Sequence, residues 1–223
     1  MKHRGPIITL AVGAVFAAVL LILDLNSEPP AGTAQVGGGD HPPSSATAPA
    51  PTTTAPTTPP PAPAPPNATY AGNVDGGSGA SVAIAIKNGQ AVAYLCDGRT
   101  EAWLQGNASA TVALTGAGNA TLTGTFAGGK ISGSITAAGK TWTFSVGAVA
   151  PPSGLYRAAA QVREARVVGG WIVLADGRQV GVVDVDGQPG TAQELNTTTL
   201  TSTVNGTTIT ATAVDGSPIP LGQ

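Results

Sequence analysis

Residues 81–106 read SVAIAIK-NG-QAVAYLC-DG-RTEAWLQG, and no other stretch limits the fold of this chain so tightly. Apolar side chains recur at every second position, the period of a strand with one buried face. Asn88-Gly89 and Asp97-Gly98 are the residue pairs that two-residue hairpin turns select, because both central positions need positive φ. With both turns tight, Lys87 faces Gln90, Ile86 faces Ala91, Ile84 faces Ala93 and Val82 faces Leu95. In the next pair Cys96 faces Arg99, Tyr94 faces Glu101 and Val92 faces Trp103. One sheet face then collects Val82, Ile84, Ile86, Ala91, Ala93, Leu95, Ala102 and Leu104 as core. The other carries Ala83, Ala85, Val92, Tyr94, Cys96, Arg99, Glu101 and Trp103, half apolar and half charged.

The same punctuation continues through SATVALTG, NATLTGTFAG, KISGSITAAG and KTWTFSVG, each a short run closed by glycine. Val112/Leu114, Leu122/Phe126, Ile131/Ile135 and Trp142/Phe144/Val146 keep the alternation, with Thr and Ser on a solvated outer face. Pro151-Pro152, within Val149–Gly154, breaks the sheet and divides it into sub-sheets. In GLYRAAAQVREARVV the alternation of Tyr156, Ala158, Ala160 and Val162 favours a strand, while the alanine content also suits a two-turn helix. Hairpins across Asp176-Gly177 and Asn205-Gly206 follow. About ten strands joined by tight turns predict an all-β domain, an antiparallel meander forming a β-barrel or a two-sheet sandwich.

Ahead of this domain stands Ile7–Leu25, uncharged until Asp24 and preceded by Lys2, His3 and Arg4. Nineteen residues at helical rise span about 28 Å, close to the ~30 Å hydrocarbon core of a bilayer. The basic start keeps the N-terminus cytoplasmic and sends the rest outward. A cleaved signal peptide is the competing reading, yielding a secreted domain. Against it, the apolar run is long and Leu23-Asp24-Leu25 is a poor cleavage site. The expected organisation is a cytoplasmic stub (1–6), a transmembrane signal anchor (7–25), a disordered stalk (26–68), an extracytoplasmic β-domain (69–216) and a tail (217–223). The stalk is Pro/Ala/Thr-rich, holding thirteen of the 19 prolines. A segment so poor in large apolar side chains cannot offset its ordering entropy. Its Thr/Pro clusters resemble O-glycosylated stalks.

Composition excludes several functions. From Asn67 onward eight Lys/Arg stand against nine Asp/Glu, so nothing attracts a nucleic acid electrostatically. Cys96 is the single cysteine, which rules out an intrachain disulfide. The two histidines, His3 and His41, precede the β-domain, so it contains neither a Ser–His–Asp nor a Cys–His arrangement and no imidazole zinc site.

The strings VAYLCDG, EAWL, GLYRA and GGWIVLADGRQVG, with the anchor and the Pro/Thr stalk, resemble uncharacterised proline-rich single-pass membrane proteins of actinobacterial (mycobacterial) type. The resemblance covers the anchor and most of residues 70–185. It implies location and topology, and assigns no catalytic residue.

Trp103, Tyr94, Arg99 and Glu101 form the candidate binding face, an aromatic strip edged by charge of the kind that grips a sugar or a protein. The plainer reading is that a second sheet or the 155–166 segment covers Trp103. Asp184 and Asp186 are a carboxylate pair in principle, but Asp186-Gly187 reads as a turn and Gln188-Pro189-Gly190 as a loop. The D-x-D-G fragment also lacks the remaining oxygen ligands for calcium. Arg157, Arg163 and Arg166 surround a single acid, Glu164, and suit a solvated face or an anionic envelope polymer. Cys96 suits a small buried apolar position. Five N-x-S/T sequons, at Asn67, Asn107, Asn119, Asn196 and Asn205, are what chance supplies in a chain this rich in Thr, Gly and Asn.

The expected function is therefore a membrane-anchored binding or scaffolding protein of the cell envelope, without catalytic activity, cofactor or metal. Its partner is a cell-wall glycan or an envelope protein. The alternative is a β-barrel carrier of a small, lipid-like apolar ligand.

Overall fold

The computed structural model describes residues 62–221. The expected stub, the transmembrane segment and the stalk up to residue 61 lie outside the described residues. The described residues are all-β. Eight strands follow one another as an up-and-down meander: β1 (Asn67–Asn73), β2 (Ser81–Lys87), β3 (Gln90–Cys96), β4 (Glu101–Ala108), β5 (Thr111–Gly116), β6 (Thr121–Ala127), β7 (Lys130–Ala137) and β8 (Lys140–Val149). They close into an antiparallel barrel, with β1 meeting β8 through Thr69↔Val149, Tyr70↔Ala148 and Ala71↔Gly147.

Alternation dictates what fills the barrel. Val82, Ile84, Ile86, Ala91, Ala93, Leu95, Ala102 and Leu104 all point inward, as their period predicts. Tyr70, Phe126 and Phe144 supply the bulk, each at most 4% exposed. Where β6 and β7 cross, Gly124 faces Gly133, and a Cβ on Gly133 would strike the Thr123 carbonyl oxygen. Only two glycines allow the backbones to approach this closely as the sheet curls. On β5–β8 the outward Thr and Ser are mostly exposed, as expected.

The first hairpin has the expected register, with Asn88 and Gly89 at φ 49° and 79°. The second does not: Tyr94 pairs with Trp103 and Cys96 with Glu101. Asp97 Oδ1 accepts the backbone N–H groups of Arg99 (2.9 Å) and Thr100 (2.6 Å), closing a four-residue loop in place of a two-residue turn. The slip is two residues, so every side chain keeps its face.

Beyond the Pro151-Pro152 break lies a second sheet. Its strands are β9 (Gly154–Val162), β10 (Ala165–Val173), β11 (Gln179–Val185), β12 (Gln188–Thr191) and, after a hairpin of β13 (Thr201–Val204) and β14 (Thr207–Thr210), β15 (Thr212–Ala213). They lie in the order β12-β11-β10-β9-β15. The ambiguous stretch is thus two strands, turning at Arg163 and Glu164 with φ 50° and 72°. Gln188-Pro189-Gly190 is strand rather than loop, because an edge position does not need the proline N–H.

The sheet packs on the outer wall of β1, β2 and β3. Ala71, Ala83, Ala85, Val92, Tyr94 and Cys96 meet Leu155, Ile172, Leu174 and Val182. Its far side is covered by the β13–β14 hairpin and the chain before it, which bury Trp171. The Trp171 indole N–H donates to the Gln193 carbonyl at 2.8 Å. Three layers result: barrel, sheet and hairpin.

Candidate functional site

Along the barrel-facing side of the second sheet, apolar residues give way to charged ones at one end. On β9 Leu155 is followed by Arg157; on β10 Ile172 leads back through Gly170 and Val168 to Arg166; on β11 Val182 is followed by Asp184. The apolar end makes a dry interface with β2 and β3. At the charged end the two layers enclose a cleft of about 760 Å³. Its barrel wall is Glu101 and Trp103 of β4. Its floor includes Ala102, Ala120 and Ala137, whose side chains belong to the barrel interior. The C-terminal segment reaches the cleft through Pro220 and Leu221.

Three of the four residues of the candidate face come together here. Tyr94 and Trp103 stack with ring centroids 4.2 Å apart and planes inclined by 33°. Tyr94 is wholly buried, because β10 runs over it at Gly170. It therefore supports the site and does not form its surface. Its hydroxyl donates to Glu101 Oε2 at 2.6 Å. Burial pushes the phenol well above its usual range, so it stays a donor. Trp103 is half-buried, with Arg157 Cζ 5.8 Å from the ring centroid. The second sheet covers much of Trp103, and the rest lines the cleft. Arg99, by contrast, is exposed in the Asp97–Thr100 loop and is not among the lining residues.

The carboxylates of the cleft are engaged. Glu101 accepts from Tyr94, Asp184 Oδ1 from the Gly187 N–H at 2.7 Å, and Asp186 Oδ1 from the Arg166 N–H at 2.7 Å. Burial raises the Glu101 carboxyl above its usual range; the Tyr94 hydroxyl and the Trp103 indole oppose that shift, and Asp184 adds to it. The Trp103 Nε1 is buried and lies close enough to Glu101 to favour its charge, but meets no acceptor at hydrogen-bond geometry.

The guanidinium groups are less occupied. Arg157 gives one long hydrogen bond, 3.3 Å, to the Pro220 carbonyl. Burial, and then the proximity of Arg166, lower its pKa, while Glu101 acts the other way. Among the described residues neither arginine forms a salt bridge, the two ion pairs being Lys87–Asp215 and Arg178–Asp176. Arg163, the third arginine of the sequence cluster, sits in the β9–β10 turn away from the lining.

The sequence pointed to Glu101 and Trp103, gave Arg157 and Arg166 to a solvated face or an anionic envelope polymer, and offered Asp184 only as a carboxylate paired with Asp186. The available signal was charge at positions whose alternation faces the covered wall. Cys96 is fully buried, with its Sγ accepting the Gly98 N–H at 3.3 Å, and burial raises the thiol's pKa. Among the described residues no group of three His, Cys, Asp or Glu side chains could hold a metal ion. Comparison with protein-family models, curated proteins and solved structures found no match for this chain.

Proposed function

We propose that this chain is an extracytoplasmic binding protein of the cell envelope, tethered by Ile7–Leu25, and that it holds a cell-wall glycan in the cleft between barrel and sheet. One observation carries the reading. A concave site of about 760 Å³ combines an aromatic wall with guanidinium and carboxylate groups that form no salt bridge with one another. That volume suits one or two sugar residues, where a protein partner needs a broader patch. The basic start and apolar run of the N-terminus support the tether and its orientation. The carrier reading has the closed barrel in its favour, but Tyr70, Phe126 and Phe144 occupy the interior such a ligand needs.

The test is co-sedimentation of the full-length protein with purified cell wall. Trp103→Ala should lose the pelleted fraction while the far-UV circular dichroism stays that of the wild type. Equal pelleting of variant and wild type sinks the assignment of the cleft. Digestion of the β-domain only after spheroplasts are lysed sinks the placement outside the membrane.

A further inference from the structure

Two turns of this domain present the same dipeptide. Asn88-Gly89 joins β2 to β3 and Asn205-Gly206 joins β13 to β14, and no other asparagine of the chain is followed by glycine. Both are two-residue hairpin turns with positive φ throughout, 49° and 79° in the first and 49° and 77° in the second. All four residues are exposed. Asn-Gly is also the pair in which a backbone nitrogen most readily attacks the preceding side-chain amide, because glycine puts no Cβ in the way. Sequence and exposure therefore give the two sites equal chemistry.

The fold separates them. The Asn88 N–H donates to the Pro66 carbonyl at 2.7 Å, and the Gly89 carbonyl accepts the Ala108 N–H at 2.9 Å. Those bonds pin the first turn to the chain ahead of β1 and to the end of β4, and its two strands, seven residues each, belong to the closed barrel. Among the described residues no backbone hydrogen bond reaches Asn205 or Gly206 from outside their hairpin. Their strands are four residues each and form a sheet of their own. Val204 and Ile209 bury that ribbon against the second sheet, but its tip stands in solvent. A two-stranded ribbon is marginal by itself and opens at a fraction of the global unfolding free energy.

We propose that Asn205 is a site of spontaneous modification, converting to aspartate and isoaspartate in the folded protein while Asn88 is preserved. Ring closure needs rotation about the Asn205 Cα–C bond, which a paired turn resists, so the reaction proceeds from opened turns. The Gly206 nitrogen bonds to Asn205 Cγ, the bond from Cγ to the side-chain nitrogen breaks, and that nitrogen leaves as ammonia with the proton Gly206 gives up. Water then opens the succinimide at either carbonyl. Opening towards isoaspartate inserts a methylene into the backbone of a turn whose length sets the strand register. The pairing of Val204 with Thr207 does not survive this unchanged. The outer hairpin loosens over Trp171, while the cleft, on the opposite face of that sheet, keeps its form.

Ageing the full-length protein in detergent at mildly alkaline pH, followed by peptide mapping with mass spectrometry, tests the assignment. A sample aged in urea gives the intrinsic rate of each site. In urea the two asparagines should convert alike. In the folded protein Asn205 should convert about tenfold or more faster than Asn88, since local opening frees one turn and not the other. Hydrogen exchange of the aged folded protein should then speed up in β13 and β14 and stay unchanged in the barrel. Equal folded-state rates, or faster loss of Asn88, overturn the proposal, as does preservation of both sites in the folded protein while urea converts them. A preference for Asn205 that persists in urea belongs to the flanking sequence and overturns the role of the fold. Exchange in β13 and β14 that matches that of fresh protein overturns the loosening of the hairpin.

Discussion

Tyr94 and Glu101 are joined by a 2.6 Å hydrogen bond although neither is the other's cross-strand partner. Tyr94 pairs with Trp103 and Glu101 with Cys96, so the bond runs diagonally across β3 and β4. It ties a side chain of the dry interface to one that lines the cleft.

Removing that hydroxyl should destabilise the protein in a pH-dependent way. The folded pKa of Glu101 is raised above the ordinary 4.5, chiefly by burial. Between 4.5 and the raised value the folded chain keeps a proton the unfolded chain has lost, so this group's contribution to stability declines as pH rises through that window. Tyr94→Phe deletes a donor that favours the charged form, raising the pKa further. The variant should be less stable by about 1–2 kcal/mol at neutral pH. Urea unfolding should show the deficit shrinking as pH is lowered below the Glu101 transition.

Gly170 is where β10 passes over the aromatic pair. A Cβ there would lie 2.6 Å from Trp103 Cζ2, 2.6 Å from Tyr94 Cζ and 2.8 Å from the Tyr94 hydroxyl oxygen. Both rings are packed and cannot yield cheaply. Gly170→Ala should cost about 1–3 kcal/mol by overpacking, seen as a lower denaturant midpoint with an unchanged slope.

Glu164 occupies the second position of the β9–β10 turn at φ 72°, a left-handed conformation unfavourable for a residue with a Cβ. Glu164→Gly should relieve the strain and stabilise the domain by about 1 kcal/mol, measured by chemical denaturation. A loss of stability would mean that the Glu164 side chain makes a compensating interaction.

Lys87 Nζ lies 2.6 Å from Asp215 Oδ2, joining the barrel to the segment after β15. The hydrogen bond from Lys87 is the first cause that lowers the Asp215 pKa from 3.8 to about 2. A depressed acid contributes stability above its unfolded pKa and loses it as pH falls through its folded one. Wild type should therefore lose more stability than Asp215→Asn as pH drops from 3.8 to about 2. Both side chains are roughly half exposed, which keeps the neutral-pH effect below about 1 kcal/mol. Parallel acid-unfolding curves for the two proteins would count against the ion pair.

The face of each barrel side chain was legible because strand periodicity survives local errors. The hairpin at Asp97 was misjudged by two residues, yet Ala102 and Leu104 still face the interior. The buried outer wall of β2 and β3 was also written in the chain, as Ala83, Ala85, Val92, Tyr94 and Cys96 where β5 to β7 place mainly Thr and Ser. That a second sheet or the 155–166 segment covers Trp103 was legible as the plainer reading, but which residues meet across the contact was not, because it joins segments some 75 residues apart, such as Tyr94 and Gly170. The cleft was half visible for the same reason. Glu101 and Trp103 are neighbours in sequence, whereas Arg157, Arg166 and Asp184 reach them only once the second sheet has docked. Arg99 shows the converse: adjacent to Glu101 in sequence, it is carried away by the Asp97-capped loop.

Joining β1 to β8 leaves the largest sheet without a free rim; in the second sheet the rim strands are four residues in β12 and two in β15, which covers β9 only at Tyr156 and Arg157. The rim strand β12 carries Pro189, which withholds one amide hydrogen from any incoming chain. Closure means that a neighbouring copy can add no strand to the barrel itself.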